Sequence, residues 1–545
     1  MTNSIGFPAR FGKLALLGAA LIGLLNPIVF WWGLFSGDAE IHLAYARNLL
    51  RGYPLQFNLH MTNSGDTSMG FTLIVALILR IFGAVLAPVI IEILCLLSLY
   101  FTALVTFLIG KELGIRSPWR EVAAILVLWL PGNAYSALYG TENVLFAALG
   151  CFFIYGIIRV KWYDQPGSAS ILEDAFLGIA AGVLFWLRPE AVPLICILLF
   201  VRVIAAIGFK RSWRSETIRI GAFVLLFVIA ILAYIAIFRH YAGEMPYGAG
   251  KARRLFSMYN ESVWFYGVSI NVKVLTRIAS YFTITLPALV IGIIALTRRY
   301  FNLAVRLRVL VFAGVFFSFL AAYVFNLLPS VHFARYSIFI WPYGIILAVF
   351  CLQSIGDATW LKPAYYSVVL GVFIFCFVST VVFETWLRLK LIGEYPCHTL
   401  ERVERVPQQR DQVSATLATQ LGLPVGAPAT LALTEVQARY ELNDNFTIIS
   451  LDGITDARFI SYFCGDWVDH DGYLIDTRVD FVLSFPNFNI DKTKWALADL
   501  LNLPVGQSLV RPGIVYTRIQ PYIVRVRRTI DRGANRPGGN CLKGN

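Results

Sequence analysis

Two carboxylates stand two residues apart just past the first apolar segment. They are Asp38 and Glu40, followed by His42 and Arg47, in the run SGDAEIHLAYARNLLRGYPLQFN. Neighbouring carboxylates can raise one member's pKa, which suits a general base, or can share a cation. In an extended loop, residues two apart point the same way, so the pair would converge. A plainer reading stays open: Asp38 could N-cap a helix over Ala39–Leu50, with His42, Tyr45 and Arg47 orienting a substrate or simply packing. Further on, Glu142 heads an apolar stretch after Gly140-Thr141, where a helix N-terminus favours a carboxylate. Arg188 and Glu190 flank Pro189 between two apolar segments, as an intramembrane ion pair or as a pair facing a substrate. Lys251, Arg253 and Arg254 follow Met245-Pro246-Tyr247-Gly248-Ala249-Gly250. This is not a P-loop, because the first glycine and the hydroxyl residue after the lysine are missing. A negative ligand such as a lipid phosphate would account for these cations. His332, Arg335 and Tyr336 open a late apolar segment and fit the same role, unless Arg335 only snorkels.

The elements that must hold these groups are membrane helices. The chain is 58% hydrophobic and 14% charged, with mean hydropathy +0.67. A soluble domain is about 25% charged. Apolar runs of about 20 residues, each long enough to cross a bilayer as a helix, recur from residue 14 to residue 387. Strand alternation is absent there, which argues against a β-barrel. The first run keeps Asn26 and Pro27, continues to Trp31–Trp32 and precedes no small-residue cleavage site, so it reads as a retained anchor. The net charge of +13 lies mostly in short loops between apolar runs, which points to membrane topology rather than nucleic acid. The eight cysteines show no CxxC or metal spacing.

Basic clusters set the sidedness. Arg10 and Lys13 precede the first span, and four later clusters alternate with the polar segments. Spans at roughly 14–35, 86–110, 121–138, 141–158, 174–187, 189–207, 218–238, 277–297, 309–328, 333–353 and 364–386 satisfy the positive-inside bias. That predicts a polytopic α-helical protein of about eleven spans, N-terminus inside and C-terminus outside. The stretch 70–83 is then excluded as a crossing and reads as re-entrant or interfacial. This topology gathers the 36–69 loop, Glu142, the Arg188-Pro189-Glu190 turn, the 240–276 loop and His332–Tyr336 on the outer face of residues 1–387. Residues 388–524 read as a small α/β domain on that face, with strands near Ala429–Leu433, Phe446–Leu451 and Val479–Phe485. Helical pieces are expected at Glu401–Leu421 and Lys492–Leu501. Residues 525–545 read as a disordered basic tail.

These segments resemble the GT-C superfamily of membrane glycosyltransferases, especially bacterial polyprenyl-phosphate-sugar-using members such as the terminal arabinofuranosyltransferases and mannosyltransferases. The family's first loop reads roughly D-D-A-Y-I, R-Y-A-R-N-L, G-x-G-L-x-F-N and G-Y-T-S. Here it stands as Gly37-Asp38-Ala39-Glu40-Ile41, Ala44-Tyr45-Ala46-Arg47-Asn48-Leu49, Gly52-Tyr53-Pro54-Leu55-Gln56-Phe57-Asn58 and Gly65-Asp66-Thr67-Ser68. Gly140-Thr141-Glu142, Arg188-Pro189-Glu190, the Pro246–Lys251 loop, Arg335-Tyr336 and Asp452-Gly453-Ile454-Thr455-Asp456 follow in family order. Gly37 replaces the family's first Asp, Glu40 an aromatic residue, and Asp66 a Tyr.

The resemblance implies transfer of a sugar from a polyprenyl-phosphate donor to a hydroxyl of an extracytoplasmic glycan or glycolipid, at the plasma (inner) membrane. It implies Asp38 or Glu40 as the base, and substrate contacts from His42, Arg47, Asp66, Glu142, Arg188 and Glu190. Lys251, Arg253, His332, Arg335 and Tyr336 would hold the lipid phosphate. A divalent cation would sit on the glutamates if the reaction uses one. A transporter or flippase of lipid-linked glycans would also bury charges among many spans, but would usually show an internal repeat, and none is evident. A glycan polymerase or ligase with a lipid-linked substrate would share the cationic outer loop. A non-catalytic membrane scaffold would follow if the loss of the family's first Asp marks a dead enzyme.

Overall fold

The structure, a computed structural model, describes most of residues 9–242, 262–297, 302–328, 337–356, 399–450, 463–483 and 504–528. Its helices are α1 (Ala9–Trp31), α2 (Asp38–Leu50), α3 (Met69–Glu112), α4 (Trp119–Trp129), α5 (Pro131–Leu138), α6 (Glu142–Arg159), α7 (Ile171–Leu187), α8 (Ala191–Gly208), α9 (Trp213–Ala242), α10 (Val272–Ser280), α11 (Phe282–Thr297), α12 (Leu303–Val324), α13 (Trp341–Gly356), α14 (Thr399–Gln420) and α15 (His470–Asp476). Among the described residues, six helical segments are long and apolar enough to cross a membrane. The number rises to eight if the bent pairs α4/α5 (56°) and α10/α11 (86°) each form one span. Large apolar side chains such as Phe176, Phe200 and Leu225 face outward, as lipid-facing positions do. The expected span 364–386 lies mostly outside the described residues.

The stretch 70–83 is helical and is set off from the helix that follows by a break. It is the first part of the 44-residue α3, whose backbone leaves helical geometry at Gly83 (φ 73°, ψ 170°). A straight helix of that length would run about 66 Å, twice the roughly 30 Å hydrocarbon core, so a break is required. Leu73, Leu77 and Ile81 form an exposed apolar stripe on the early part, while Phe71, Val75 and Ile78 are buried. Helix α7 is not as short as the sequence suggests. It starts at Ile171, where the Ser170 hydroxyl accepts from the Glu173 amide and the Glu173 carboxylate accepts from the Ser170 amide.

α7 packs closely on α9 because Gly178 and Gly182 give room for the approach. A methyl at Gly178 would lie 2.4 Å from the Phe223 carbonyl oxygen, and one at Gly182 would lie 2.5 Å from Cβ of Ala230. Small residues four apart allow this contact between membrane helices. At the end of this hairpin formed by the start of α7, the end of α8 and the start of α9, charges are buried together. Arg202 donates to both oxygens of Asp174 (2.8 and 3.0 Å) and to Glu216 (3.1 Å). Arg219 reaches Asp174 (2.6 Å), Arg211 reaches Glu216 (3.1 Å), and the Trp162 indole donates to Asp174 (2.6 Å). The Arg202 guanidinium also lies 4.2 Å from the Trp162 ring centre.

Among the described residues there are three short ribbons and one larger sheet. β1 (Gln56–Asn58) pairs β2 (Met61–Thr62), β3 (Ser262–Phe265) pairs β4 (Val268–Asn271), and β7 (Phe463–Cys464) pairs β8 (Trp467–Val468). The fourth is a six-stranded mixed sheet in the C-terminal part. It contains β5 (Ala429–Leu433), β6 (Phe446–Ser450), β9 (Phe481–Leu483), β10 (Ser508–Arg511), β11 (Ile514–Gln520) and β12 (Ile523–Arg528), in the order β10-β11-β12-β9-β5-β6. β5 runs parallel to β6 and β9, and the other pairs are antiparallel. β12 carries the sheet into the stretch 525–545 that composition alone reads as tail. Val524 and Val526 are buried while Arg525 and Arg527 are exposed, which is the alternation of a half-buried strand. The helix expected at 492–501 lies outside the described residues.

α2 is the layer between the bundle and the C-terminal sheet. Ala39, Leu43 and Ala46 join the apolar core of the membrane helices. Ile41, Ala44 and Tyr45, with Phe57, join a second core with Leu421, Leu431, Leu433, Phe446 and Ile448. Asn58 secures the seam. Its side-chain amide donates to the Ile448 carbonyl (2.8 Å) and accepts from the Ile448 amide (2.9 Å), as a neighbouring strand would.

Candidate functional site

The site lies where α2, the turn before α3, the start of α6 and the α7–α8 turn meet. Asp38 is the first residue of α2, and one turn on the same face comes His42. His42 is buried. Its Nδ1 lies 2.9 Å from Oγ1 of Thr72 and 3.8 Å from Oδ1 of Asp66, and its Nε2 lies 3.3 Å from Oε2 of Glu142. The ring packs edge-on against Phe71 at 5.1 Å. Asp66 is held by the Ser68 amide (3.0 Å), and the Ser68 hydroxyl donates to the Leu187 carbonyl (2.5 Å), tying this turn to the end of α7.

Glu142 opens α6, where the helix dipole favours its charge. Gly140 lets it reach α2. Its φ of +74° suits glycine, and an added Cβ would lie 2.6 Å from the Phe35 ring and 3.2 Å from Cβ of Ala39. Arg188 then joins three acceptors. It donates to Oε1 of Glu142 (2.8 Å), to both oxygens of Glu190 (3.2 and 2.5 Å), and to the Asn143 side-chain oxygen.

Among the described residues, carboxylates outnumber cations in this cluster. Asp38, Asp66, Glu142 and Glu190 face Arg188 and His42. Burial disfavours a charged His42, yet the Glu142 hydrogen bond and the Glu142, Asp66 and Asp38 carboxylates outweigh it and lift its pKa above the ordinary value. Burial likewise lifts the Asp66 carboxyl, against the opposing pull of His42, Thr72 and the Ser68 amide. Asp66, Glu142 and Glu190 are buried, and Asp38 alone of these four carboxylates keeps partial exposure. A half-open carboxylate at a helix N-terminus, backed by a buried acidic cluster, can accept a proton. The negative surroundings would favour a cationic centre beside it.

Six expected site residues are thus brought together: Asp38, His42, Asp66, Glu142, Arg188 and Glu190. Glu40 and Arg47 are not. Because residues 38–50 form a helix, Glu40 stands about 200° around the axis from Asp38, so the extended-loop expectation of convergent carboxylates is corrected. Arg47 lies near the far end of α2, with Nη2 3.9 Å from Asp444 of the C-terminal part. Lys251, Arg253, His332, Arg335 and Tyr336 lie outside the described residues. Among the described residues no group of three or more His, Cys, Asp or Glu is arranged to hold a metal ion. Sequence reasoning passed over Thr72 and Asn143, which complete the hydrogen bonding of His42 and Arg188. It also passed over Glu92, a carboxylate buried in α3. For Glu92 the signal was there, an acid inside an apolar run.

The fold is similar to those of the solved structures of ArnT, AglB and AftD. ArnT from Cupriavidus metallidurans bound to undecaprenyl phosphate superimposes with a TM-score of 0.52 at 14% identity, over 95% of this chain and 98% of ArnT. The archaeal oligosaccharyltransferase AglB from Archaeoglobus fulgidus, in complex with an inhibitory peptide and a dolichol-phosphate, gives 0.52 at 10% identity, over 89% of this chain and 71% of AglB. The arabinofuranosyltransferase AftD from Mycobacteria gives 0.50 at 13% identity, over 94% of this chain and 40% of AftD. At these identities the likeness is one of fold. No protein-family model and no curated protein matches the sequence.

Proposed function

We propose that this chain is a glycosyltransferase that moves a sugar from a polyprenyl-phosphate donor to a hydroxyl of an extracytoplasmic glycan or glycolipid. The carrying observation is Asp38, the half-exposed carboxylate at the mouth of the buried His42–Asp66–Glu142–Arg188–Glu190 cluster. In this reading the Asp38 carboxylate takes the acceptor hydroxyl proton. The acceptor oxygen bonds to the anomeric carbon, the bond from that carbon to the phosphate oxygen breaks, and polyprenyl phosphate leaves. The excess of carboxylates favours the oxocarbenium character of the transition state. His42 and Arg188 hold Glu142 and Glu190 in place, where these can meet sugar hydroxyls. The leaving phosphate is assigned to Lys251, Arg253, His332, Arg335 and Tyr336. The undecaprenyl phosphate named with ArnT and the dolichol-phosphate named with AglB support a lipid-linked donor here.

Residues 1–387 form the catalytic module in this reading, in the plasma (inner) membrane. Residues 388–524 shape the acceptor groove on its periplasmic side. The likeness to an oligosaccharyltransferase keeps transfer of a whole glycan as a second reading. The test is transfer by purified protein from a panel of synthetic polyprenyl-phosphate monosaccharides and a lipid-linked oligosaccharide, with Asp38→Asn alongside. Wild type is expected to transfer a monosaccharide, and the variant to be slower by about 10²–10⁴-fold, the usual worth of a positioned base. Transfer of the oligosaccharide alone selects the second reading. Full activity in a folded Asp38→Asn protein removes Asp38 from its role.

A further inference from the structure

Among the described residues, the seam between α2 and the C-terminal sheet gathers arginines around one carboxylate, Asp444. Arg47 and Arg51 come from the end of α2 and the residue following it, Arg439 from the chain before β6, and Arg410 from α14. All four act on Asp444 or on one another. Asp444 is the acid they share. Its oxygens lie 2.8 Å from Arg439, 2.8 Å from Arg51 and 3.9 Å from Arg47. Asp411, beside Arg410 in sequence, accepts from the Asn443 amide at 3.4 Å. Among the described residues, the guanidinium groups of Arg47, Arg51 and Arg439 share the one Asp444 carboxylate.

The donors are also unanswered. Both terminal nitrogens of Arg47 are buried without a hydrogen-bond acceptor, and so is Nε of Arg439. Arg47 Nε makes one long contact, 3.5 Å to the Asn48 side chain. Arg439 is nearly fully buried and directs its other nitrogens to the Leu442 and Asn443 carbonyls and to Asp444. A buried guanidinium nitrogen without an acceptor is costly, and native proteins supply one. A planar fork of two parallel N–H groups matches the two oxygens of a phosphoryl group. Burial, then repulsion from Arg439 and Arg410, brings the Arg47 pKa down to about 9 against the pull of Asp444, so it stays charged at neutral pH.

We propose that Arg47, Arg51 and Arg439 form an oxyanion site at this seam, which takes a phosphoryl group in a bidentate contact with Arg47. The site lies on the opposite side of α2 from His42 and Glu142, so it is separate from the cluster proposed for transfer. It does not rest on that reading. A bound phosphoryl group would bridge α2 to the chain leading into β6 and tighten the docking that Asn58 begins.

The test reads the seam itself. Hydrogen exchange of the full-length protein in detergent, followed by mass spectrometry of peptides covering 439–450, is measured with inorganic phosphate and separately with a short-chain isoprenyl phosphate. Sodium chloride at equal ionic strength is the control. Either phosphate is expected to slow exchange in these peptides at least threefold and saturably. Arg47→Gln should abolish the effect. Arg51→Gln, at a partly exposed position where misfolding is not expected, should weaken it. Slowing by both ligands means that free phosphate suffices, and slowing by the isoprenyl phosphate alone means that the phosphoryl group arrives on a lipid. No slowing by either, or equal slowing in Arg47→Gln and Arg51→Gln, overturns the site. Because no sugar is transferred, failure here leaves the transfer reading untouched, and failure of transfer leaves this site standing.

Discussion

His42 is the residue on which the cluster turns, because it touches α3 through Thr72, the preceding turn through Asp66 and α6 through Glu142. Its pKa is raised in the folded protein, so the fold favours the protonated ring. That contribution is complete below the ordinary value of about 6.5 and is lost as pH climbs through the raised one. Wild-type melting temperature should therefore fall as pH rises from about 6 to 8. His42→Gln should be less stable by about 1–3 kcal/mol at pH 6, the usual cost of losing a charged hydrogen bond, and should show a shallower slope, the remainder coming from Asp66. An unchanged slope in the variant would mean that another group titrates. Charges among apolar residues stand out in a sequence, so His42, Glu142, Arg188 and Glu190 were legible. Thr72 and Asn143 were not, because uncharged polar residues at helix starts are common and carry no such cost. Glu40 was misread because its direction depends on whether residues 38–50 coil or extend, and apolar contacts on both sides of α2 decide that.

Elements show the same division. Strands β5 and β6 and helix α14 were readable from short, mostly apolar runs and a long polar stretch. The break at Gly83 inside α3 was legible too, as the end of the apolar stretch 70–83. How α2 and β6 meet was hidden, since it depends on a side chain acting as backbone. Asn58 answers both polar groups of Ile448 at the β6 edge. Asn58→Ala should leave two buried backbone groups unanswered and cost about 1–3 kcal/mol in docking of the sheet. Faster amide exchange in β6, with exchange in α6 unchanged, would show it. Equal exchange in both proteins would mean that the apolar seam alone holds the sheet.

For the whole molecule, α7 separates two buried charge clusters, around Asp174 and Arg188, by about 21 Å, the rise of the 14 residues between them. Among the described residues, the one near Arg188 leaves acidic charge over, while the one around Arg202 is closely paired and fits a structural role. Asp174→Asn should weaken Arg202 and Arg219 together and lower stability by about 3–5 kcal/mol, seen as a large drop in melting temperature. A shift of a degree or less would show that water answers these charges instead. The overall fold class was legible because hydropathy reports membrane helices directly. The way α7, α8 and α9 share charges was not, since partners 28 and 45 residues apart leave no local pattern. The same pairing bears on how the chain is made. An arginine in a lone helix costs about 2.5–3.5 kcal/mol to insert. When α8 emerges from the ribosome, Arg202 can already meet Asp174, but Glu216 and Arg219 do not yet exist. Insertion of the three helices as one unit would spare the bilayer that cost, because Glu216 and Arg219 complete the pairing of Arg202 and Asp174 only when α9 is present.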